Sequence, residues 1–222
     1  MNIIMLGPPG AGKGTIAAQM KQRYNLPHIS SGEIFRNNIK NKTELGEIAK
    51  TYIDKGALVP DDITTEMMIK VLRADECKDG FILDGFPRTI AQAESIDEAL
   101  NKYNKKIDLV ILVDATDSQI VDRLSGRRVC EKCGATYHLT NLPPKVEGVC
   151  DNCNGKLTHR KDDTEEVIMD RLNTYHKETA PLIDYYKEKK ILKHVPGFID
   201  SQEDRLIMID ALVKGDWATP NI

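Results

Sequence analysis

Nine residues near the start of the chain, Gly7-Pro8-Pro9-Gly10-Ala11-Gly12-Lys13-Gly14-Thr15, have the composition to hold a string of phosphates. Glycines leave no Cβ in the way, so successive backbone N–H groups can converge on one anion. The apolar run at 3–6 before the loop reads as a buried strand and residues 16–20 after it as a helix. A helix start there adds unpaired N–H groups and the positive end of its dipole. Lys13 supplies a mobile cation for the outer phosphates. This is a P-loop, and it implies a bound nucleoside polyphosphate. Gly14 stands where the general pattern has Ser or Thr, with Thr15 one position later. That displacement favours Mg²⁺ coordination through water over direct ligation, because Mg²⁺ gives up its waters reluctantly.

A second constellation is Cys130-Glu131-Lys132-Cys133 followed, after sixteen residues, by Cys150-Asp151-Asn152-Cys153. Two C-x₂-C knuckles can present four thiolates tetrahedrally to Zn²⁺, and Gly134 and Asn154-Gly155 supply the tight turns this needs. Two disulfides or unliganded thiols are the competing reading, disfavoured in a reducing compartment. Four cysteines close the coordination shell, so the metal would be structural. A nucleic-acid-binding zinc ribbon is the rival use of the same array. Against it, Lys132, Lys145 and Lys156 are offset by Glu131, Glu147 and Asp151, and Tyr137 stands nearly alone for base stacking. Cys77, expected on an exposed helix end, has no partner and no assigned role.

Arginines form the third set. Arg36 follows Ser30-Ser31-Gly32-Glu33, Arg88 follows Asp84-Gly85-Phe86-Pro87, and Arg123, Arg127 and Arg128 lead into the cysteine region, which Arg160 leaves. Arginine grips phosphate oxygens in bidentate fashion and keeps its charge. If these groups converge, they offer more positive charge than one triphosphate needs, which suggests two phosphorylated substrates end to end. Arg171, mid-helix, could instead pair with Asp170 or Glu178, and Arg128 is the least favoured of the set.

Positioning these groups requires a scaffold. Short apolar runs alternate with helical patterns, the signature of a parallel sheet flanked by helices. Strands are expected at 3–6, 81–84 and 109–114, the last two ending in aspartates at the carboxyl edge where α/β folds place ligands. Weaker strands are expected at 27–30 and 193–195. Helical patterns fill 32–41, 43–54, 61–75, 89–103, 117–125, 164–188 and 202–213, with Pro181 breaking or kinking the penultimate one. The organisation expected is an α/β P-loop core of 1–30, 61–125 and 164–222, a helical insertion of 31–60 and a small cysteine-bearing insertion of 126–163. With 222 residues there is enough chain for one substantial core, and a net charge of −3 gives no broad attraction to nucleic acid or acidic membrane. No apolar run approaches the ~20 residues of a membrane span, and no basic-then-apolar leader opens the chain. A cytoplasmic protein is the expectation, with a monomer as the default.

Several strings carry a specific resemblance. Gly7 to Thr15, His28-Ile29-Ser30-Ser31-Gly32, Gly56-Ala57-Leu58-Val59-Pro60-Asp61, Gly80-Phe81-Ile82-Leu83-Asp84-Gly85-Phe86-Pro87-Arg88-Thr89, Arg123-Leu124-Ser125-Gly126-Arg127-Arg128 and Arg160-Lys161-Asp162-Asp163 resemble the adenylate kinases. They do so in register from residue 1 to about residue 200, and the cysteine array resembles the zinc-bearing lid of the long bacterial-type enzymes. The resemblance implies a five-stranded sheet and the reaction ATP + AMP ⇌ 2 ADP with Mg²⁺. It implies that Gly10, Ala11, Gly12, Lys13, Gly14 and Thr15 cradle the ATP phosphates and that Arg127 reaches them. Arg123 would lie against adenine, Thr136 and Tyr137 would contact ATP from the lid, and Ile199 would offer its backbone to the base. Ser31, Arg36, Ala57, Leu58, Val59, Gly85, Phe86, Pro87, Arg88 and Gln92 would hold AMP. Arg160 and Arg171 would bridge toward the transferring phosphoryl group, and Asp84 would orient Mg²⁺ through water. Cys130, Cys133, Cys150 and Cys153 would hold one Zn²⁺. The chain departs from the family pattern at Ser31 (usually Thr), at Glu33 (usually Asp) and at Pro196-Gly197-Phe198-Ile199 (usually Gly-Gln).

Overall fold

The computed structural model describes residues 1–197 and 201–216. Strand β1 (Asn2–Leu6) is buried along its whole length and leads through the phosphate loop into α1 (Lys13–Tyr24). β2 (His28–Ser30), α2 (Ser31–Lys40), α3 (Glu44–Ile53) and α4 (Asp61–Leu72) follow. Next come β3 (Phe81–Asp84), α5 (Ile90–Asn101), β4 (Leu109–Asp114) and α6 (Asp117–Ser125). Three short strands, β5 (Arg127–Cys130), β6 (Thr136–His138) and β7 (Leu157–Thr158), build the second insertion. The chain closes with α7 (Glu165–Thr174), α8 (Leu182–Glu188), β8 (Leu192–Pro196) and α9 (Gln202–Lys214).

The main sheet has the order β2-β3-β1-β4-β8, and every pairing in it is parallel. A parallel sheet is covered on both faces, which is why its strands are continuous apolar runs. The two-residue period sorts them cleanly. Ile4, Leu6, Phe81, Leu83, Val110 and Leu112 pack on one side with Met68, Ile96 and Tyr186. Ile3, Met5, Ile82, Ile111 and Val113 pack on the other with Ile16, Met20 and Ile209. The expected strands and helices all form, with boundaries moved by a few residues. The long pattern at 164–188 divides into α7, a widened turn at Tyr175–Thr179 and α8, which starts directly after Pro181. A proline has no N–H to give and so starts a helix better than it continues one.

One expectation is corrected. Cys77 is 1% exposed rather than on the surface. It closes a short turn at Asp75–Cys77, packs in the α4–α5 side of the core and donates its thiol to the Val71 carbonyl at 3.7 Å. The helical pattern runs on to residue 75, whereas α4 stops at Leu72 and the turn folds the cysteine inward. Burial pushes its thiol pKa up, so it packs as a small apolar group.

The two insertions differ in what holds them. α2 and α3 form a hairpin around Phe35, Ala49 and Val59, with Thr43 capping α3 through the Gly46 N–H. The order β6-β5-β7 is antiparallel, and its small core is Cys130, Tyr137, Cys150 and Leu157. Two of those four residues are cysteines, so the second insertion lacks the apolar surface to fold firmly on hydrophobic burial alone.

Candidate active site

Strand β1 lies mid-sheet, and the chain crosses to β3 and β2 on one side of it and to β4 and β8 on the other. This is a topological switch point, and the phosphate loop leaves β1 at its carboxyl end, where such folds bind ligands. Gly7 adopts φ 134° and a Cβ there would stand 2.3 Å from the Val113 carbonyl oxygen, so only glycine lets the loop leave the sheet here. Gly12, at φ 104°, precedes α1, and no side chain caps that helix. The Thr15 N–H closes a turn on the Gly12 carbonyl at 3.0 Å, so the amides before it are the ones a ligand could take. Gly14 and Thr15 are exposed, while Ala11 is buried beneath the loop. The Lys13 ammonium donates to the Gly7 and Pro8 carbonyls at 2.8 and 2.7 Å. Burial lowers its pKa to about 8 against the pull of Asp84.

Asp84 ends β3, with an oxygen 3.5 Å from His28 Nε2 on the neighbouring strand. Burial would raise its pKa, but His28, Lys13 and Arg88 together hold it below the usual carboxylate range. It stays an anion beside the lysine, an oxygen donor suited to a hydrated Mg²⁺.

The arginines converge. Arg88 Nε donates to the Gly85 carbonyl at 2.8 Å, so the turn between β3 and α5 aims its own guanidinium. Burial, then Arg171, push Arg88 down to about 10, and burial, then Arg127 and Arg36, push Arg160 to about 9. Arg36 is lowered for the same reasons. Guanidinium stays protonated at neutral pH, so these depressions measure crowding of like charge in a place water leaves. Such a cage suits phosphate oxygens. Arg127 forms a two-pronged ion pair with Asp163, Nε to Oδ2 at 2.7 Å and Nη2 to Oδ1 at 2.6 Å. Arg171 bridges to Asp163 Oδ1 at 3.1 Å, to Asp162 Oδ2 at 3.3 Å and to the Asp162 carbonyl at 2.9 Å, rather than to Asp170 or Glu178. Asp163 is buried between the two arginines and fixes their spacing. Arg123 Nη1 donates to the Gly10, Ala11 and Gly197 carbonyls at 3.0 to 3.3 Å, tying α6 to the phosphate loop and to the end of β8.

Beside this cage is a pocket. Ser31, Arg36, Ala57, Leu58, Val59, Gly85, Arg88, Gln92 and Arg171 line it, all named from the sequence. Phe35, Ile53, Gly56, Thr64 and Asp162 also line it and were not singled out. Phe35 lies one helical turn beyond Ser31, a spacing that marks a shared face. Asp162 and Asp163 lie two and three residues after Arg160, but nearness in sequence gives no hint that they pair with arginines from β5 and α7. The Ser31 hydroxyl donates to the Gly85 carbonyl at 2.6 Å, docking the first insertion on the β3 turn. Phe86 is fully buried in the core and Pro87 is also buried, so these two anchor the turn rather than line the pocket. Ile199 lies outside the described residues.

In the second insertion, Cys130, Cys133, Cys150 and Cys153 bring their sulfurs within 4.8 Å of one another. The Cys130–Cys153 and Cys133–Cys150 separations are 3.5 and 3.6 Å. That is far beyond the ~2.05 Å of a disulfide, and close to the ~3.8 Å edge of a tetrahedron with Zn–S bonds of about 2.3 Å. The Tyr137 hydroxyl, 3.5 Å from the Cys150 sulfur, leads the contacts that hold that thiol down to about 6. The Cys133 thiol pushes Cys153 up to about 12. A divalent cation relieves such crowding. A Cβ on Gly155 would come 2.8 Å from the Cys130 sulfur, so the second knuckle closes only with glycine there. Thr136 is exposed, whereas Tyr137 is buried in the insertion's own core and accepts the Asp151 N–H at 2.8 Å.

A family model described as adenylate kinase matches residues 5–191, most of the chain. The chain belongs to the adenylate kinase family. An adenylate kinase of Clostridium tetani is 54% identical over 203 residues, covering 91% of this chain and 94% of the relative. Adenylate kinases of Acetivibrio thermocellus and Agathobacter rectalis are each 55% identical over 197 residues, covering 89% of this chain and 91% and 92% of theirs. Adenylate kinases use Mg²⁺ generally, and the four-cysteine cluster is compatible with zinc. No helix among the described residues is long and apolar enough to cross a membrane.

Proposed function

We propose that this chain transfers the terminal phosphoryl group of ATP reversibly to AMP, giving two ADP, and so balances the adenine nucleotides. The observation that carries this reading is the gathering of Lys13, Arg36, Arg88, Arg127, Arg160 and Arg171 at the carboxyl edge of the sheet, next to the pocket lined by Ser31, Arg36, Arg88 and Gln92. One triphosphate does not need that much positive charge; two phosphorylated substrates meeting head to head do.

In this reading residues 10–15 wrap the β- and γ-phosphates of ATP, with Arg123, Arg127 and Thr136 closing over the nucleotide. The pocket lined by Ser31, Arg36, residues 57–59, Gly85, Arg88 and Gln92 takes AMP. The AMP phosphate is already a competent nucleophile, so no side chain need act as a base. What the protein supplies is in-line placement and fixed charge on the moving phosphoryl group. Lys13, Arg88, Arg127, Arg160 and Arg171 supply that charge, and Asp163 holds two of them in register. Mg²⁺, when bound, neutralises phosphate charge, and Asp84 would hold its water shell. Zn²⁺ on the four cysteines would be structural, one per chain. Residues 31–60 and 126–163 act as two covers on a core of 1–30, 61–125 and 164–222, excluding water during transfer. We read the protein as a cytoplasmic monomer that binds ATP, AMP and ADP and neither nucleic acid nor membrane.

A coupled assay of ADP formation, offering AMP, UMP, CMP and GMP in turn with ATP, tests the reading. Turnover with AMP well above the others is expected. No ATP-dependent ADP formation with any of them would overturn it, and preference for another monophosphate would reassign the acceptor.

A further inference from the structure

Gln92 is 2% exposed, lines the acceptor pocket, and has both ends of its amide engaged. Its Oε1 accepts the backbone N–H of Arg88 at 2.7 Å. Its Nε2 donates to Asp61 Oδ1 at 2.7 Å. The other oxygen of Asp61 accepts the Thr89 hydroxyl at 2.7 Å, and Thr89 Oγ1 in turn caps α5 by accepting the Gln92 N–H at 3.2 Å. Asp61 sits at the start of α4 and Gln92 in the first turn of α5, so the contact crosses between two helices.

An ionised carboxylate only accepts and a backbone N–H only donates. A rotation of the Gln92 amide by half a turn would put oxygen against carboxylate and NH₂ against N–H, losing both bonds and creating two repulsions. The amide therefore has one orientation. One N–H and one lone pair remain for a ligand, in a fixed left-right order. Adenine offers an acceptor (N1) beside a donor (the 6-amino group). Hypoxanthine and guanine offer a donor (N1–H) beside an acceptor (O6), the reverse order. An amide held one way can match one of these edges and clashes with the other.

We infer that Asp61 is a positioning residue for base selection: by locking the Gln92 amide it makes the acceptor site take a 6-amino purine monophosphate and refuse a 6-oxo one. This deepens the proposed function and rests on its assignment of the acceptor pocket. Asp61 does not itself line that pocket; it acts through Gln92.

The test compares AMP with IMP, which share ribose and phosphate and differ at the base edge. Titration calorimetry gives Kd for each, and the coupled assay gives kcat/KM, for the unsubstituted chain, Asp61→Asn and Asp61→Ala. Asn keeps the shape but can donate as well as accept, so a flipped Gln92 meets one repulsion, from the Arg88 N–H, instead of two. The AMP-over-IMP ratio is expected to fall about tenfold in Asp61→Asn and at least as far in Asp61→Ala, in line with the discrimination a bidentate amide carries. The change should sit in KM for the monophosphate, with KM for ATP unmoved. A purely structural role would lower melting temperature and activity with both nucleotides alike; an unchanged ratio in either folded variant overturns the inference. If the unsubstituted chain binds neither monophosphate, it is the acceptor-site assignment that fails.

Discussion

Lys13 carries its charge where water is scarce. Burial brings its pKa to about 8 from the usual 10.5. Between those values the unfolded chain holds a proton that the folded chain has released, so stability of the nucleotide-free protein rises with pH across that window. Below about pH 8 both states are protonated and the cost of the buried cation is fully present. Urea midpoints measured from pH 7 to 10 should rise for the unsubstituted protein relative to Lys13→Met, which lacks the titrating group; parallel curves would contradict this. The same charge is what the proposed transfer would use. Lys13→Ala or Arg88→Ala should lower kcat by about 10³-fold or more, the range for a cation acting on a transferring phosphoryl group. Melting temperature should stay close to that of the unsubstituted protein. Near-normal turnover in either would remove the residue from the site. At this scale the phosphate loop was legible because its chemistry lies within nine consecutive residues. The Asp163 clamp was not, because it joins β5 to α7 through a residue whose neighbours in sequence say nothing of either.

Among the elements, the small cysteine-bearing sheet depends most on something other than apolar burial. Its core holds only Tyr137 and Leu157 besides cysteines, and structural zinc in domains of this kind supplies roughly 10–16 kcal/mol of apparent binding energy. Elemental analysis of protein purified without chelator should give about one zinc per chain. Cys130→Ala should lower melting temperature by about 10 °C, a loss of a few kcal/mol at roughly 2–4 °C per kcal/mol for a chain this size. It should change kcat at low temperature far less. The opposite pattern would make the metal catalytic. The element itself was readable as two knuckles at fixed spacing. That Tyr137 turns its hydroxyl to Cys150 was not, since the tyrosine alternates with exposed Thr136 and either face could have been the inner one.

At the scale of the molecule, the two insertions meet. Lys40 at the end of α2 donates to the Glu131 carbonyl of the first knuckle at 3.4 Å. Besides burial, Arg127 at the border of one insertion helps to lower the pKa of Arg36 in the other, and Arg127 and Arg36 help to lower that of Arg160. Cations brought together in this way repel, so this arrangement should be favoured only when phosphates lie between them. Spin labels at Lys42→Cys and Val146→Cys, in a Cys77→Ser background with zinc supplied to protect the four clustered cysteines, should show one short distance with both nucleotides bound. A longer and broader distribution is expected without them. A distance indifferent to nucleotide would mean that the covers do not move.

The sequence alone determined the order of elements, the phosphate loop and the cysteine knuckles, because each is encoded locally: a period of two or 3.6, a glycine-rich turn, a fixed cysteine spacing; most pocket residues followed from the resemblance to the adenylate kinases. Tertiary structure decided which charges face each other. Arg171 answers to Asp162 and Asp163 rather than to its helix neighbours, Cys77 turns inward, Phe86 and Pro87 brace a turn instead of lining the pocket, and Asp61 reaches Gln92 across two helices. Those pairings depend on distance in space between residues far apart along the chain, and only the packed sheet and its two covers set that distance.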